Sequence, residues 1–152
     1  MLEKATLRMM EGALKVSTSR VRDIMIPRPQ IISVGSNESS EDFLPRIIKS
    51  RHSRFPVIDK KTDEIEGILL AKDLLPPLSS KNKHNLDLNN LLRPAVLIPE
   101  SKKLNTLLDE FRSGRNHMAI VMDEYGGITG LVTIEDVLEE IVGEIEDEHD
   151  EI

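Results

Sequence analysis

The sequence predicts an α+β protein that is built from two copies of one β-α-β-β-α unit. The main observation is an internal repeat: GILLAKDLL at 67–75 matches GLVTIEDVL at 130–138, and PVID at 56–59 matches IVMD at 120–123. Aromatic residues make up only 3% of the chain, so aliphatic side chains must fill the core. Because one such unit cannot bury both faces of its sheet, we expect the copies to pack as a pseudo-two-fold pair.

The first two elements of each copy are a short apolar strand and an amphipathic helix. The strands are predicted at 31–34 and 95–98. In the second copy, the i, i+3, i+4, i+7 spacing of one buried helix face is occupied by Leu104, Leu107, Leu108 and Phe111. In the first copy the corresponding face carries Phe43, Leu44, Ile47 and Ile48. Pro45 lies within that helix, so we expect a kink or a late start.

The remaining elements of each copy are two strands joined by a turn and a closing helix. The strands are predicted at 55–58 and 65–70 in the first copy, and at 118–122 and 128–132 in the second. Pro76 and Pro77 shorten the closing helix of the first copy. The predicted organisation is a helical lead-in at 1–19, a first repeat at 20–78, a polar linker at 79–90, a second repeat at 91–143 and an acidic tail at 144–152.

Composition and charge exclude several classes of function. The chain has no Cys, which excludes disulfides, thiolate metal sites and thiol catalysis. Its apolar runs are far shorter than the ~20 residues that a membrane span needs. The net charge is 20 − 27 = −7, and residues 116–152 contain no Lys or Arg, so the chain is a poor candidate for nucleic-acid binding. The acidic end fits a solvated tail, a linker or an attractor of divalent cations.

The segment Thr133-Ile134-Glu135-Asp136 lies between a predicted strand and a predicted helix. One interpretation is a capping box, in which Thr133 caps the helix and the acidic side chain three residues later reaches back. A second interpretation is a ligand site, because a helix N-terminus favours anions and a carboxylate can accept hydrogen bonds from both hydroxyls of a ribose. The residues alone leave both interpretations open.

Five stretches, in this order, resemble a tandem CBS-domain pair, or Bateman module, of the CorC/HlyC magnesium and cobalt efflux family. They are RVRDIMIPR at 20–28, HSRFPVI at 52–58, EGILLAKDLLP at 66–76, HMAIVMDEYGG at 117–127 and GLVTIEDVLEEIVGEIEDEHD at 130–150. The resemblance implies an adenosine-nucleotide site in the cleft between the repeats and a disc-like homodimer. It also implies a cytoplasmic location, at the membrane face, with a transporter membrane domain or a C-terminal transporter-associated domain outside this chain as partner.

The resemblance also implies which residues bind AMP or ATP, possibly with Mg²⁺. Thr133 and Asp136 match the positions that contact the ribose and the phosphate side. Ser53 and Arg54 are expected to face that site from the other repeat, where the Arg54 guanidinium can bind phosphate. Position alone makes Val96, Ala119 and Ile134 candidates for the adenine slot.

A second cleft, at Asp73 and His117, is expected to be weaker. Asp73 matches Asp136, but Leu70 replaces Thr133 and cannot hydrogen-bond a ligand. His117 and Met118 stand where the other cleft has Ser53 and Arg54, so a strong cation is also missing.

The predicted function is therefore regulatory and not enzymatic, with no catalytic residues and no metal site of its own. No P-loop pattern is present, and no histidine has the spacing of a catalytic triad. The alternative is a structural dimerisation module that binds no ligand.

Overall fold

The structure is a computed structural model that describes residues 2–76, 88–114 and 116–150, with side chains for 3–76, 88–114 and 116–142. Most of the predicted linker and the side chains of the predicted acidic tail lie outside the described residues. The chain forms two compact units. We call residues 30–95 the continuous unit, and residues 1–29 together with 96–152 the discontinuous unit.

The continuous unit is a three-stranded sheet covered by one helix. The strands lie in the order β2 (Val34–Gly35), β3 (Arg54–Asp59) and β4 (Glu64–Leu70), and the helix is α2 (Ser40–Ser50). Short 3₁₀-helices follow at Ala71–Leu74 and Leu88–Asn90. The core is formed by the buried side chains of Val34, Phe43, Ile47, Phe55, Val57, Leu69, Leu74 and Leu88.

The discontinuous unit is a four-stranded sheet with three helices. Its strands lie in the order β1 (Ile26–Pro27), β7 (Ile128–Thr133), β6 (Met118–Met122) and β5 (Val96–Pro99). The helices are α1 (Leu2–Thr18), α3 (Leu104–Ser113) and α4 (Ile134–Asp150). The core is formed by the buried side chains of Val16, Val21, Ile98, Leu104, Leu107, Phe111, Ala119, Val121, Val132 and Val137.

The two units share one hydrogen-bonding pattern, which confirms the predicted repeat and the α+β fold class. In each unit a parallel pair of strands is followed by an antiparallel hairpin, β2-β3-β4 in one and β5-β6-β7 in the other. The hairpin register shifts at Val57/Ile58 in the first copy and at Val121/Met122 in the second. These positions are 64 residues apart, the offset found in the sequence.

Two short segments, residues 21–27 and 88–94, are exchanged between the two repeats, and we call them the lead-in segments. Residues 21–27 lie at the start of the first repeat, but β1 within them pairs antiparallel with β7 of the second. Residues 88–94 join the end of the linker to the start of the second repeat, but Arg93 forms an antiparallel bridge with Ile68 in β4 of the first. The compact units therefore have boundaries that differ from the repeat limits at 20–78 and 91–143.

Helix α2 differs from its prediction in two respects. It runs from Ser40 to Ser50 across Pro45, so the loss of one backbone donor does not delay its start. The prediction that Ile48 lies on the buried face is wrong, because this side chain is 73% exposed. Phe43 and Ile47 are four residues apart and share the buried face, whereas Ile48 lies about 100° further around the helix.

The strand predicted at 31–34 is also corrected. Only Val34–Gly35 is a strand, and it pairs with Val57 and Ile58 in β3. At the other end of the chain, the backbone of α4 remains helical to Asp150 and thus includes most of the acidic segment.

Candidate functional site

Thr133 and Asp136 form a reciprocal hydrogen-bonded pair where β7 passes into α4. The Thr133 N–H donates to Asp136 Oδ2 over 2.9 Å, and the Asp136 N–H donates to Thr133 Oγ1 over 3.2 Å. This confirms the predicted capping box. Within the described part of this unit, Asp136 Oδ1 receives no hydrogen bond. The cap therefore fixes the half-buried carboxylate and leaves acceptor capacity for another donor.

The predicted adenine-slot residues lie close to this cap in the same unit. Val96 in β5 is paired with Ala119 in β6, and the Ile134 N–H donates to the carbonyl of His117 over 2.9 Å. Val96 and Ile134 are half-buried against the core, whereas the Ala119 side chain has no exposed surface. The accessible apolar surface of this region therefore comes from Val96 and Ile134, and Ala119 supports it from beneath.

Ser53 and Arg54 belong to the continuous unit, at the start of β3. Arg54 lies opposite Leu70, and the carbonyl of Ser53 accepts a hydrogen bond from the Ala71 N–H over 2.8 Å. This contact repeats the one between His117 and Ile134, which confirms that the two strand starts are equivalent. The role of Ser53 and Arg54 toward Asp136 stays a prediction.

Asp73 has a partner that the sequence analysis missed. The Arg93 guanidinium donates from Nε to Asp73 Oδ2 over 3.2 Å and from Nη2 to Oδ1 over 3.4 Å. The Asp73 side chain is 23% exposed and that of Arg93 is 52% exposed. A cavity of about 420 Å³ adjoins the pair and is lined by Asp73, Pro76, Asn90, Leu91, Leu92 and Arg93.

A sequence signal for Arg93 exists in the lead-in segments. Arg93 precedes Pro94, as Ile26 precedes Pro27 in the other segment. An alignment on these prolines places Val21 of one 3₁₀-helix on Leu88 of the other, and both side chains are buried. Such an alignment equates Arg93 with Ile26, but the pairing of either residue with a third strand is seen only in the structure.

Among the residues that the structure describes, no group of three or more His, Asp or Glu side chains could hold a metal ion. Within the same residues, no helix is long and apolar enough to cross a membrane.

Comparison with known proteins settles the family. The CBS domain model matches residues 21–79 and 88–143, which is most of the chain. The chain is a tandem pair of CBS domains. It is 54% identical over 151 residues to the magnesium and cobalt efflux protein CorC of Salmonella typhimurium, a match that covers 99% of this chain and 51% of that protein. The CBS pair thus belongs to the CorC family and spans about half the length of this curated relative.

Two solved relatives of the CBS pair contain a nucleotide. One is the CBS domain of a bacterial CNNM/CorC family Mg²⁺ transporter in complex with ATP, with 38% identity and a TM-score of 0.83 over 91% of this chain and 97% of that one. The other is a CBS-domain pair with bound AMP from Klebsiella pneumoniae, with 30% identity and a TM-score of 0.73 over 83% of this chain and 100% of that one.

Proposed function

We propose that this CBS pair binds an adenosine nucleotide, AMP or ATP, at Thr133 and Asp136, and that occupancy regulates divalent-cation transport by a larger protein. The observation that carries the proposal is the capping box, which holds the Asp136 carboxylate at a helix N-terminus with one oxygen available to a donor. The ATP complex of a CBS domain that is 38% identical supports the ligand class.

Each part of the nucleotide has a chemically suitable partner among the proposed residues. The ribose hydroxyls donate to the Asp136 carboxylate, and the Thr133 hydroxyl lies beside it. The adenine packs on Val96 and Ile134. Phosphates are bound by the Arg54 guanidinium and the Ser53 hydroxyl, brought by the other repeat. A nucleotide-bound Mg²⁺ would be coordinated mainly by phosphate oxygens and water.

Regulation follows from linkage between the ligand and the conformation of the pair. A nucleotide shifts a conformational equilibrium only to the extent that it binds one state more tightly than another. In this proposal the bound state biases a transporter membrane domain or a C-terminal transporter-associated domain, at the cytoplasmic face of the membrane, within a homodimer. The efflux function named for the Salmonella relative suggests Mg²⁺ or Co²⁺ as the transported ion.

Calorimetric titration with AMP, ADP and ATP, with and without Mg²⁺, tests the proposal. At a protein concentration of about 0.1 mM, which suits weak binding, we expect heat of binding for at least one adenosine nucleotide. Asp136→Ala should abolish this heat, and Asp73→Ala should change it little. Equal losses in the two variants would place the ligand elsewhere, and no heat with any nucleotide would favour the alternative of a dimerisation module without ligand.

Asp136→Asn separates a ligand contact from a structural effect. The Asn carbonyl still accepts from the Thr133 N–H, so the helix cap is largely retained, but the carboxylate charge is lost. Weaker nucleotide binding at unchanged thermal stability supports a direct contact with the ligand. Unchanged binding would show that Asp136 acts only as a cap.

A further inference from the structure

The ion pair between Arg93 and Asp73 engages the carboxylate that corresponds to Asp136. We propose that Arg93 keeps nucleotide out of the first repeat, so that each chain binds one nucleotide and not two. This inference rests on the proposed function at Asp136 and concerns Asp73, the equivalent residue of the first repeat. It assigns Arg93 as the residue that determines occupancy.

Backbone pairing establishes which residue of the other unit is equivalent to Arg93. Ile68 and Arg93 exchange both backbone hydrogen bonds, at 2.8 and 2.9 Å. In the discontinuous unit the corresponding bridge joins Leu131 and Ile26. Ile68 precedes Asp73 by the same number of residues as Leu131 precedes Asp136. The equivalent of Arg93 is therefore Ile26.

This single difference changes the chemistry of the two carboxylates. Arg93 donates N–H groups to both oxygens of Asp73, so ribose hydroxyls would have to compete with the guanidinium for this carboxylate. Ile26 has no donor and no charge. Asp136 is therefore engaged through its own helix cap alone within the described part of its unit.

The surroundings of Asp73 would otherwise suit a nucleoside. The adjoining cavity, of about 420 Å³, is lined on one side by Leu91 and Leu92 and is within the size range of small-molecule sites. Leu70 stands where the second repeat has Thr133, so one hydrogen-bonding side chain is missing beside Asp73. Because the ion pair is partly exposed, breaking it costs a competing ligand at most about fivefold in affinity. The guanidinium also lines the cavity beside the carboxylate, so a ribose that approaches Asp73 must displace it.

Two variants separate the effect of Arg93 from that of Leu70. Leu70→Thr supplies the missing hydroxyl, and Leu70→Thr/Arg93→Ile also removes the guanidinium. By calorimetry with ATP we expect one site per chain in the original protein and in Leu70→Thr. The double variant should show a second, weaker site, because His117 and Met118 still leave that cleft without a strong cation. Two sites in Leu70→Thr alone, or one in the double variant, would overturn the role of Arg93. Absence of binding in the original protein would instead count against the proposed function at Asp136.

The reciprocal variant places the same ion pair at the other carboxylate. Ile26→Arg should weaken ATP binding at Asp136 about fivefold, as expected for a partly exposed ion pair, whereas Ile26→Met, which is long but uncharged, should retain it. Thermal unfolding of both variants checks that β1 stays paired. If folded Ile26→Arg binds ATP at the original affinity, the inference is refuted. If this variant does not fold, the number of ATP sites in Leu70→Thr/Arg93→Ile tests the inference instead.

Discussion

Glu38 and Arg46 form a side-chain network in the continuous unit. Arg46 donates to Glu38 over 2.9 and 2.6 Å and to the carbonyl of Ser33 over 2.9 Å. The Gly35 N–H donates to Glu38 Oε1 over 3.0 Å. The hydrogen bond from Arg46 lowers the pKa of Glu38 below its ordinary value, although burial acts in the opposite direction. The network therefore ties α2 to the end of the strand at Val34–Gly35.

Glu38→Gln should reduce the free energy of unfolding at neutral pH by about 1 kcal/mol, because the pair is partly exposed and hydrogen bonds to a charged group are lost. Since folding lowers the pKa of Glu38 from 4.5, its contribution is complete above that pH and is lost as the pH falls through the lowered value. Urea unfolding between pH 7 and pH 3 measures the difference between the two proteins, which should shrink with acidification. Glu64→Gln, exposed at the start of β4, is the control. A difference that stays constant with pH would contradict the assignment.

The hydrogen-bond partners of a side chain were predictable from the sequence where they lie a few residues away in the chain. Thr133 and Asp136 are three residues apart, so a spacing rule found their reciprocal bonds. Arg93 and Asp73 are twenty residues apart and meet only because a lead-in segment returns to β4. No local pattern predicts the contact between Arg93 and Asp73. The exposure of Ile48 was not predictable either, because four apolar residues do not define the centre of a helix face.

The third strand of each repeat depends on a glycine that allows another segment to approach closely. A Cβ on Gly130 would lie 2.5 Å from the Ile26 carbonyl oxygen and 2.8 Å from Met25 Sδ. A Cβ on Gly67 would lie 2.8 Å from the Arg93 carbonyl oxygen. These distances are shorter than van der Waals contact. The glycine of the repeated Gly-Ile-Leu and Gly-Leu-Val sequences is therefore required by the exchange of lead-in segments.

Gly130→Ala and Gly67→Ala should each lower the free energy of unfolding by about 1–3 kcal/mol, because backbone atoms must move to relieve the contact. Chemical denaturation measures the loss, and hydrogen exchange at the amide of Ile26 or of Arg93 should rise in the matching variant. Gly126→Asn is the control: its φ of 82° is one that Asn tolerates, and no atom lies within 4 Å of a Cβ there. Equal losses of unfolding free energy in all three variants would show that the close approach of the lead-in segments is not the cause of the destabilisation.

Elements with a long periodic pattern were predicted well, and short ones were not. The spacing of Leu104, Leu107 and Phe111 located α3, and these three side chains are buried. Strand β1 has two residues and gains its partner from β7, about one hundred residues later in the chain. Such a strand has no periodicity of its own, so only the tertiary fold defines it.

At the scale of the whole chain, the exchange of lead-in segments makes neither sequence repeat a complete structural unit. The continuous unit takes Leu88, Leu91 and Leu92 into or against its core, from the lead-in segment at residues 88–94. The discontinuous unit takes Val21 into its core from the lead-in segment at residues 21–27. The sequence shows the repeat because both copies retain the same hairpin. The limits of the two compact units depend on the pairing of β1 with β7 and of Arg93 with Ile68, which only the structure shows.

A fragment of residues 30–95 should therefore fold better than a fragment of residues 20–78, although the latter is the repeat that the sequence defines. The shorter fragment lacks Leu88, which is buried, and Leu91 and Leu92, which pack half-buried against the core. Loss of one buried leucine alone costs about 2–5 kcal/mol, a large part of the stability of a small domain. Thermal unfolding followed by circular dichroism should show a cooperative transition for 30–95 and none for 20–78. A fragment of residues 20–95 controls for the first lead-in segment and should match 30–95. Equal transitions for 20–78 and 30–95 would show that the continuous unit does not depend on the segment from Leu88 to Arg93.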